Sequence, residues 1–283
     1  MNRRDSLGIL GSAMIGAAAI APGTASARKP TPQLALNPSD PADLAMIHRK
    51  LAWSLDESVG FWWLKGIRYA ALPPAYTPFW NMLIGTLFTV RDVDAETYAV
   101  TTLTTTFYTD IATGELLETF NNPITGKQVQ IKYAPAKAQT RQFNRSGEVH
   151  GPSMPGMTTT HNSAPGPAWI EGDDVWVRSD MAFRAVPTDL TRKAFQVEDL
   201  STYFASLRDV ADPRKKAIPT GQVFSDMLNF PPWLEMGDRN GHYFSRCFGR
   251  KVFSAAAMPA DWQRLMAVRH PDILRDPKAA LAG

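Results

Sequence analysis

Cysteine is almost missing from this chain of 283 residues, with Cys247 standing alone. One thiol cannot close an intramolecular disulfide, so stability has to come from a packed core. It also excludes the paired-cysteine spacings of structural zinc and thioredoxin-like redox sites. Set among Phe244, Phe248 and Val252, Cys247 reads as a small buried hydrophobe. Charge of one sign is lacking as well. Lys and Arg number 30 against 27 Asp and Glu, a formal net charge of +3, and the two signs are interspersed. That balance leaves no electrostatic footprint for nucleic acid, and none is expected as a partner. The one short basic run, Arg214-Lys215-Lys216, follows a proline and reads as a solvated loop.

The motifs that would name a cofactor are missing too. There is no G-x-G-x-x-G at a strand–helix junction, no P-loop and no C-x-x-C, so no cofactor is expected. The five histidines never fall at H-x-H or H-x-x-x-H spacing. A metal is therefore not expected, although a fold could still gather His150, His161, His242 and Glu235. No G-x-S-x-G announces a serine nucleophile.

What is present begins with an address. Asn2-Arg3-Arg4-Asp5-Ser6-Leu7-Gly8 resembles the twin-arginine export motif, with Ser6 where Phe is common. Residues 9–20 are apolar but too short to span a bilayer, and Ala25-Ser26-Ala27 has the small residues of a cleavage site. Residues 1–27 are therefore expected to be a signal peptide, 28–40 a flexible leader, and 41–283 a single domain. The expected partner on this route is the twin-arginine export machinery, and the expected location is the periplasm. No later run is apolar enough to span a bilayer, so no stable membrane insertion is expected after cleavage.

The chain is organised around residues 108–129, which use one turn device twice. Asp110-Ile-Ala-Thr-Gly114 and Asn122-Pro-Ile-Thr-Gly126 share the pattern Asp/Asn-x-x-Thr-Gly. The acidic or amide side chain can bond its own backbone two residues on, and the glycine can close the turn in the left-handed region. With strand-like residues on both sides, the stretch predicts a three-stranded antiparallel meander. It also resembles the signature of the domain-of-unknown-function family 1838. Residues 230–251 (FPPWLEMGDRNGHYFSRCFGRK) continue the resemblance, which runs from about Leu51 to the end. The resemblance implies a fold and boundaries rather than an activity.

Ser39-Asp40-Pro41 predicts a helix start, with Asp40 as cap and Pro41 at the first helical position. β character begins at residue 61. Strands are expected over 61–70, 84–93, 97–109, 139–143, 169–170, 173–184, 222–230 and 242–248, with 251–255 as another after a turn at Gly249-Arg250. In 97–109 the even positions run Tyr98, Val100, Thr102, Thr104, Thr106, Tyr108 and the odd ones carry Ala99, Leu103 and Phe107 among threonines. Neither face is strongly polar or apolar, which suits a strand with core on one side and a lined cavity or water on the other. Residues 197–210 have both helical and alternating spacing, and the β-rich context favours strand. Residues 150–167, rich in Gly, Pro, Ser and Thr, are read as a loop and as the candidate lid over a barrel mouth. Residues 259–268 close the chain as a helix. Some ten strands without βαβ alternation predict a mainly β protein: an antiparallel lipocalin-like (calycin-type) barrel with flanking N- and C-terminal helices, with a β-sandwich as second choice.

Eight Trp, seven Tyr and fourteen Phe would suit a cavity for a hydrophobic or aromatic small molecule, or simply a core. The polar candidates are few. Glu235, His242 and Tyr243 gather a carboxylate, an imidazole and a phenol near one strand end. Such a set can move a proton at a carbon acid without a cofactor, and these three are the candidate catalytic residues. Trp233, Tyr108, Arg178 and His161 are the candidate ligand-binding residues, Arg178 because a guanidinium binds carboxylates or phenolates. The expected function is a cofactor-independent enzyme of the isomerase or lyase type. The alternatives are a periplasmic carrier of a hydrophobic ligand, and a structural or protein-interaction module.

Overall fold

A computed structural model describes residues 36–144, 147–148, 155–189 and 194–283. The expected signal peptide, the leader up to residue 35, and His150 lie outside the described residues. Helix α1 (Pro41–Ala52) opens the described chain. Strands β1 (Gly60–Leu72), β2 (Ala75–Asp92) and β3 (Tyr98–Thr109) follow as long antiparallel neighbours. Then come the short strands β4 (Thr119–Asn121), β5 (Gln128–Gln130), β6 (Gln139–Asn144) and β7 (Gly147–Glu148). The second half runs β8 (Met157–Glu171), β9 (Asp174–Pro187), β10 (Phe195–Ser206), α2 (Leu207–Ala211), β11 (Thr220–Leu228) and β12 (His242–Val252). Helices α3 (Ala260–Arg269), α4 (Pro271–Arg275) and α5 (Pro277–Ala282) end it.

Ten strands form one antiparallel sheet in the order β7-β6-β3-β2-β1-β12-β11-β10-β9-β8. Its two edges, β7 and β8, come into contact, so the sheet curls into a nearly closed barrel. The fold is mainly β and lipocalin-like. Closure follows from alternation: inward and outward residues succeed each other along every long strand, and curling the sheet buries one row of each.

The ends are covered by helices and by the twin-turn segment. Asp40 caps α1, its carboxylate accepting from the Ala42 and Asp43 amides. Ile47 and Leu51 of that helix are fully buried against Val175, Val177, Ala205 and Val210. Burial of this kind contributes roughly 1.5–3 kcal/mol per large aliphatic side chain. Two buried lysines fasten the helix. Lys50 Nζ donates to the carbonyls of Val210 (2.8 Å) and Asp212 (2.7 Å). Lys251 Nζ, from β12, donates to the carbonyls of Lys50, Leu51 and Trp53 at the helix C-terminus (2.7, 2.7 and 2.5 Å). A helix C-terminus exposes carbonyls with no intrahelical partner, and a cation there meets both their hydrogen bonds and the dipole. At the other end of the chain, α3–α5 cover the outside of β2 and β3, where Leu83, Leu87, Leu103 and Phe107 meet Trp262, Leu265, Met266 and Leu281.

Both expected turns form. Asp110 accepts from the Ala112 and Thr113 amides, and Asn122 from those of Ile124 and Thr125. Gly114 and Gly126 take φ of 72° and 71°, where a side chain would be strained. The meander between them differs from expectation. β4 pairs only with β5, in a separate two-stranded sheet. Thr109 and Leu116 share a single bridge with no strand beyond it. The segment leaves the barrel wall and covers the barrel's inner end. Phe120, Val129 and Ile131 pack there on Phe79 and Trp80, together with Leu234 and Met236. The amide of Asn122 ties the two parts, donating to the Leu234 carbonyl at 3.0 Å.

Two further expectations are corrected. The lid read at 150–167 is from Met157 onward part of the fifteen-residue strand β8. As an edge strand bonded only to β9, it tolerates Pro165 and Pro167, which lack an N–H, with a register shift between Pro165 and Ala168. The turn expected at Gly249-Arg250 is absent, and β12 runs straight through it. Gly249 is instead a place where the Trp63 carbonyl of β1 comes too close for a Cβ. Residues 197–210 divide between β10 and α2, consistent with their mixed spacing.

Candidate functional site

The barrel encloses a cavity of about 420 Å³. Its lining comes from α1 and from nine of the barrel strands, which makes it the interior of the fold rather than a surface groove. The strand register arranges that interior in rows. One row crosses from β9 to β2 as Met181, Asp199, Asp226, Ser245, Arg68 and Trp80, each the direct partner of the next. The row beside it runs Ser179, Ser201, Phe224, Cys247, Gly66, Met82 and Tyr108. The next holds Tyr203, Gln222, Leu64, Ile84 and Thr106. The interior therefore grades from aromatic and aliphatic groups near α1 to a charged belt at the inner end.

That belt has one paired carboxylate and one that stands apart. Arg68 grips Asp226 with both terminal nitrogens, at 2.5 and 2.9 Å. Asp226 also accepts from the Ser245 amide (2.8 Å) and hydroxyl (2.6 Å). Four hydrogen bonds and an opposite charge offset the desolvation of a buried carboxylate. Asp199 lies directly across the strand pair from Asp226. Burial, and then the charge of Asp226, push its carboxyl up to about 7 despite the opposing pull of Arg141 and Arg68. Two carboxyl groups side by side with unequal partners are a recurring acid–base arrangement, because one remains a fixed charge while the other exchanges its proton near neutrality.

The rest of the lining is held in place by its own bonds. His48, on α1, meets Ser179 at 3.0 Å, and burial pulls its imidazole down to about 4, so it is neutral at physiological pH. Gln222 donates to Ser201 at 2.9 Å. Glu148 lies 3.5 Å from His161 and 3.6 Å from Arg141, with its side chain almost wholly buried. Burial raises the phenols of Tyr108 and Tyr243, and raises that of Tyr203 to about 12, so all three remain protonated. Cys247 is buried as the sequence suggested, and burial lifts its thiol to about 11, away from thiolate character.

Among the residues singled out from sequence, Tyr108 lines the cavity. Tyr243 is buried in the core behind the cavity wall and is not part of the lining, with the Arg68 guanidinium 4.2 Å above its ring. His161 reaches the cavity through Glu148. The others do not line it. Glu235 follows a short 3-10 turn, is half exposed and pairs with Lys127 at 2.8 Å. Its carboxylate therefore lacks the apolar surroundings expected of it. His242 lies against Phe244 (5.9 Å between centroids) at the start of β12. Trp233 stacks on Trp80, 6.0 Å between centroids, in the packing that covers the barrel end. Arg178 is exposed and paired with Asp180. The expected trio of Glu235, His242 and Tyr243 thus does not converge on the cavity.

Sequence reasoning passed over Arg68, Asp199 and Asp226, and the signal that marks them is phase. In β10 the even set Leu200, Thr202, Phe204 and Ser206 stays out of the cavity lining. The cavity takes the odd positions Asp199, Ser201 and Tyr203. In β11 the inward set is Gln222, Phe224 and Asp226, and in β1 it is Trp62, Leu64 and Arg68. A charge in phase with the buried residues of a strand is the recognisable signature. Among the described residues, no three His, Cys, Asp or Glu side chains come together as a metal ion would require.

Residues 56–282 match the model of a family described as "Protein of unknown function (DUF1838)". No curated protein matches the chain.

Proposed function

Since the chain belongs to the DUF1838 family, which carries no assigned reaction, we propose that the barrel is a small-molecule site and that the protein is a cofactor-independent enzyme of the isomerase or lyase type. The observation that carries this reading is Asp199. It is a carboxyl in the cavity wall, held to about 7 by burial and by Asp226, beside a carboxylate that Arg68 and Ser245 keep satisfied. A group poised near neutral pH is the form that general acid–base catalysis favours, because both protonation states are available. Asp199 therefore replaces Glu235 and His242 as the proton-transferring residue of the proposal. Trp62, Phe143 and Tyr203 give the cavity an aromatic wall suited to a hydrophobic or aromatic substrate. A carrier has the same cavity and differs only in returning its ligand unchanged.

Solvent isotope exchange separates the two whatever the overall reaction. Small carbon acids incubated with the protein in deuterium oxide should gain deuterium with wild type. With Asp199→Asn the rate should fall by about 10²–10⁴-fold, the usual contribution of a positioned acid–base group. Ligand bound by wild type and recovered unlabelled would establish the carrier instead. The same variant has a stability signature. The folded protein keeps the Asp199 proton up to about pH 7, whereas an unfolded chain sheds it near pH 4. Its contribution is therefore complete in acid and is lost as pH rises through 7, a difference of roughly 2–4 kcal/mol. Asn does not titrate, so the variant should be the more stable protein at pH 9 and lose that dependence.

Export through the twin-arginine pathway to the periplasm belongs to the same proposal and rests on the Arg3-Arg4 motif and the Ala25-Ser26-Ala27 site. Exported protein should begin at Arg28 on N-terminal sequencing, and replacing Arg3 and Arg4 by Lys should retain it in the cytoplasm. Normal export of that variant would remove the reading.

A further inference from the structure

Charge inside the cavity does not balance. Among the described residues three carboxyl groups line it, Glu148, Asp199 and Asp226, against two guanidinium groups, Arg68 and Arg141. Each arginine has a carboxylate of its own. Arg68 grips Asp226 through both terminal nitrogens, and Arg141 lies 3.6 Å from Glu148. His48 adds no charge at neutral pH, since burial pulls its imidazole down to about 4. Asp199 is the carboxyl left over. The groups that bear on it are Asp226 from β11, Arg68 from β1, Arg141 from β6 and Tyr203 from its own strand, with the uncharged Met181 as its partner on β9. Neither arginine forms an ion pair with it, and no described group donates a hydrogen bond to its side chain. Its oxygens are not sealed within the wall, as Trp53 Nε1 and Trp80 Nε1 are, and they open on the cavity. A carboxyl so placed is costly as an anion and keeps its proton while it has no counter-charge.

We propose that the cavity takes a small amine, an ammonium group on an aromatic or apolar body, and that the Asp199 carboxylate pairs with it. The inference rests on the small-molecule reading of the cavity, because it names what that site takes. One organic cation evens the charges of the lining. An inorganic cation would find too few ligands, since among the described residues no three His, Cys, Asp or Glu side chains come together around one. Beyond Asp199 the inward face of β10 continues with Ser201 and Tyr203. Tyr203 meets Trp62 at 5.5 Å between centroids, and Trp53 meets Phe143 at 6.3 Å, all four in the cavity wall. The body of the amine lies along these rings, where its apolar area leaves water. His48 and Ser179 bond each other, as do Gln222 and Ser201, so they do not compete for the nitrogen. Protons balance simply. The amine arrives and stays as the ammonium, and Asp199 gives its own proton to the solvent. The carbon that bears the nitrogen is then next to the Asp199 carboxyl, which is the place its proposed proton transfer requires.

Benzylamine, benzyl alcohol and benzoate share a ring and differ in the charge they carry. Their affinities for wild type and Asp199→Asn are measured by calorimetry, with thermal unfolding alongside. At pH 8 wild type should bind benzylamine about ten-fold or more tighter than benzyl alcohol, with benzoate weakest. Below pH 7 the benzylamine affinity should fall by about ten-fold per unit, because binding then displaces the Asp199 proton. Heats at pH 6 in two buffers of different ionisation enthalpy should report about one proton released. Asp199→Asn should bring benzylamine down to benzyl alcohol, leave benzyl alcohol unchanged and end the proton release. Proton release that survives in the variant would belong to Glu148 or His161 and overturn the assignment to Asp199. A variant that melts lower and binds every probe less would give the carboxyl a structural role and overturn it too. Equal affinity of wild type for benzylamine and benzyl alcohol, or a preference for benzoate, would overturn the amine reading and leave the cavity reading intact. Amine preference without deuterium exchange would keep the amine reading for a carrier and overturn the enzyme. Binding of none of the three would overturn the amine and small-molecule readings together.

Discussion

Replacing Lys251 by Met is expected to destabilise the protein by about 3 kcal/mol or more, because it removes a buried ammonium that donates to three carbonyls at once. Lys251 is 1% exposed. Its ammonium meets the carbonyls of Lys50, Leu51 and Trp53 with one N–H each, and it faces the ring of Trp62 at 5.8 Å. Three convergent acceptors match three ammonium donors, so the charge is fully bonded even though burial, and then Lys50, push its pKa down. A planar guanidinium has a different donor geometry, and Lys251→Arg should not rescue the stability. The consequence reaches the cavity. His48, Ala52 and Trp53 form part of its wall, and they depend on α1 being held down. Urea unfolding with amide hydrogen exchange over α1 checks this. Unchanged unfolding with α1 amides still protected would mean that the helix is held by its apolar face alone.

A second large effect is expected at Arg68. Arg68→Met should cost about 3–5 kcal/mol, since it leaves the buried Asp226 carboxylate without its counter-charge. The double variant Arg68→Met/Asp226→Leu should recover most of that loss, because exchanging a whole buried ion pair for apolar groups is often close to neutral. Stability and function then come apart. The double variant folds but lacks the Asp226 charge that raises Asp199. Chemical denaturation of wild type, both single variants and the double variant reads the coupling directly. A single-variant loss below about 1 kcal/mol would show that water solvates the pair.

The contrast between these two arginine-and-lysine sites and the residues first singled out is instructive. Glu235 and His242 attracted attention because they are close in sequence to each other, to Tyr243 and to aromatic residues. Proximity along a chain is a poor guide in a barrel, where a row of interior neighbours comes from six different strands. Arg68 and Asp226 are 158 positions apart and form a bridge of 2.5 Å in the cavity wall. Tyr108 does line the cavity, on the face of β3 that carries Val100, Thr102, Thr104 and Thr106, and the sequence pattern of that strand did not say which of its two faces would be inside.

By itself, the sequence determined the elements whose causes are local. Asp40 and Pro41 start α1 because a side-chain acceptor and a fixed φ suit a helix entry. Asp110 to Gly114 and Asn122 to Gly126 turn because of one carboxylate or amide and one left-handed glycine each. The alternation of β1, β3, β9 and β11 makes them strands. The lone Cys247 excludes a disulfide, and the family resemblance over the C-terminal four-fifths follows from the same motifs. Tertiary structure alone decided which face of each strand is inside. Alternation defines two faces, but a cavity reverses the usual sign by placing charge inward, and only the register with both neighbours fixes the choice. It also made residues 157–171 an edge strand rather than a lid, because β9 supplies hydrogen bonds that a loop composition does not foretell. Closure then set Asp199 opposite Asp226, and Arg68 across from Trp80. That pairing comes from the stagger of ten strands, a property no single stretch of sequence carries.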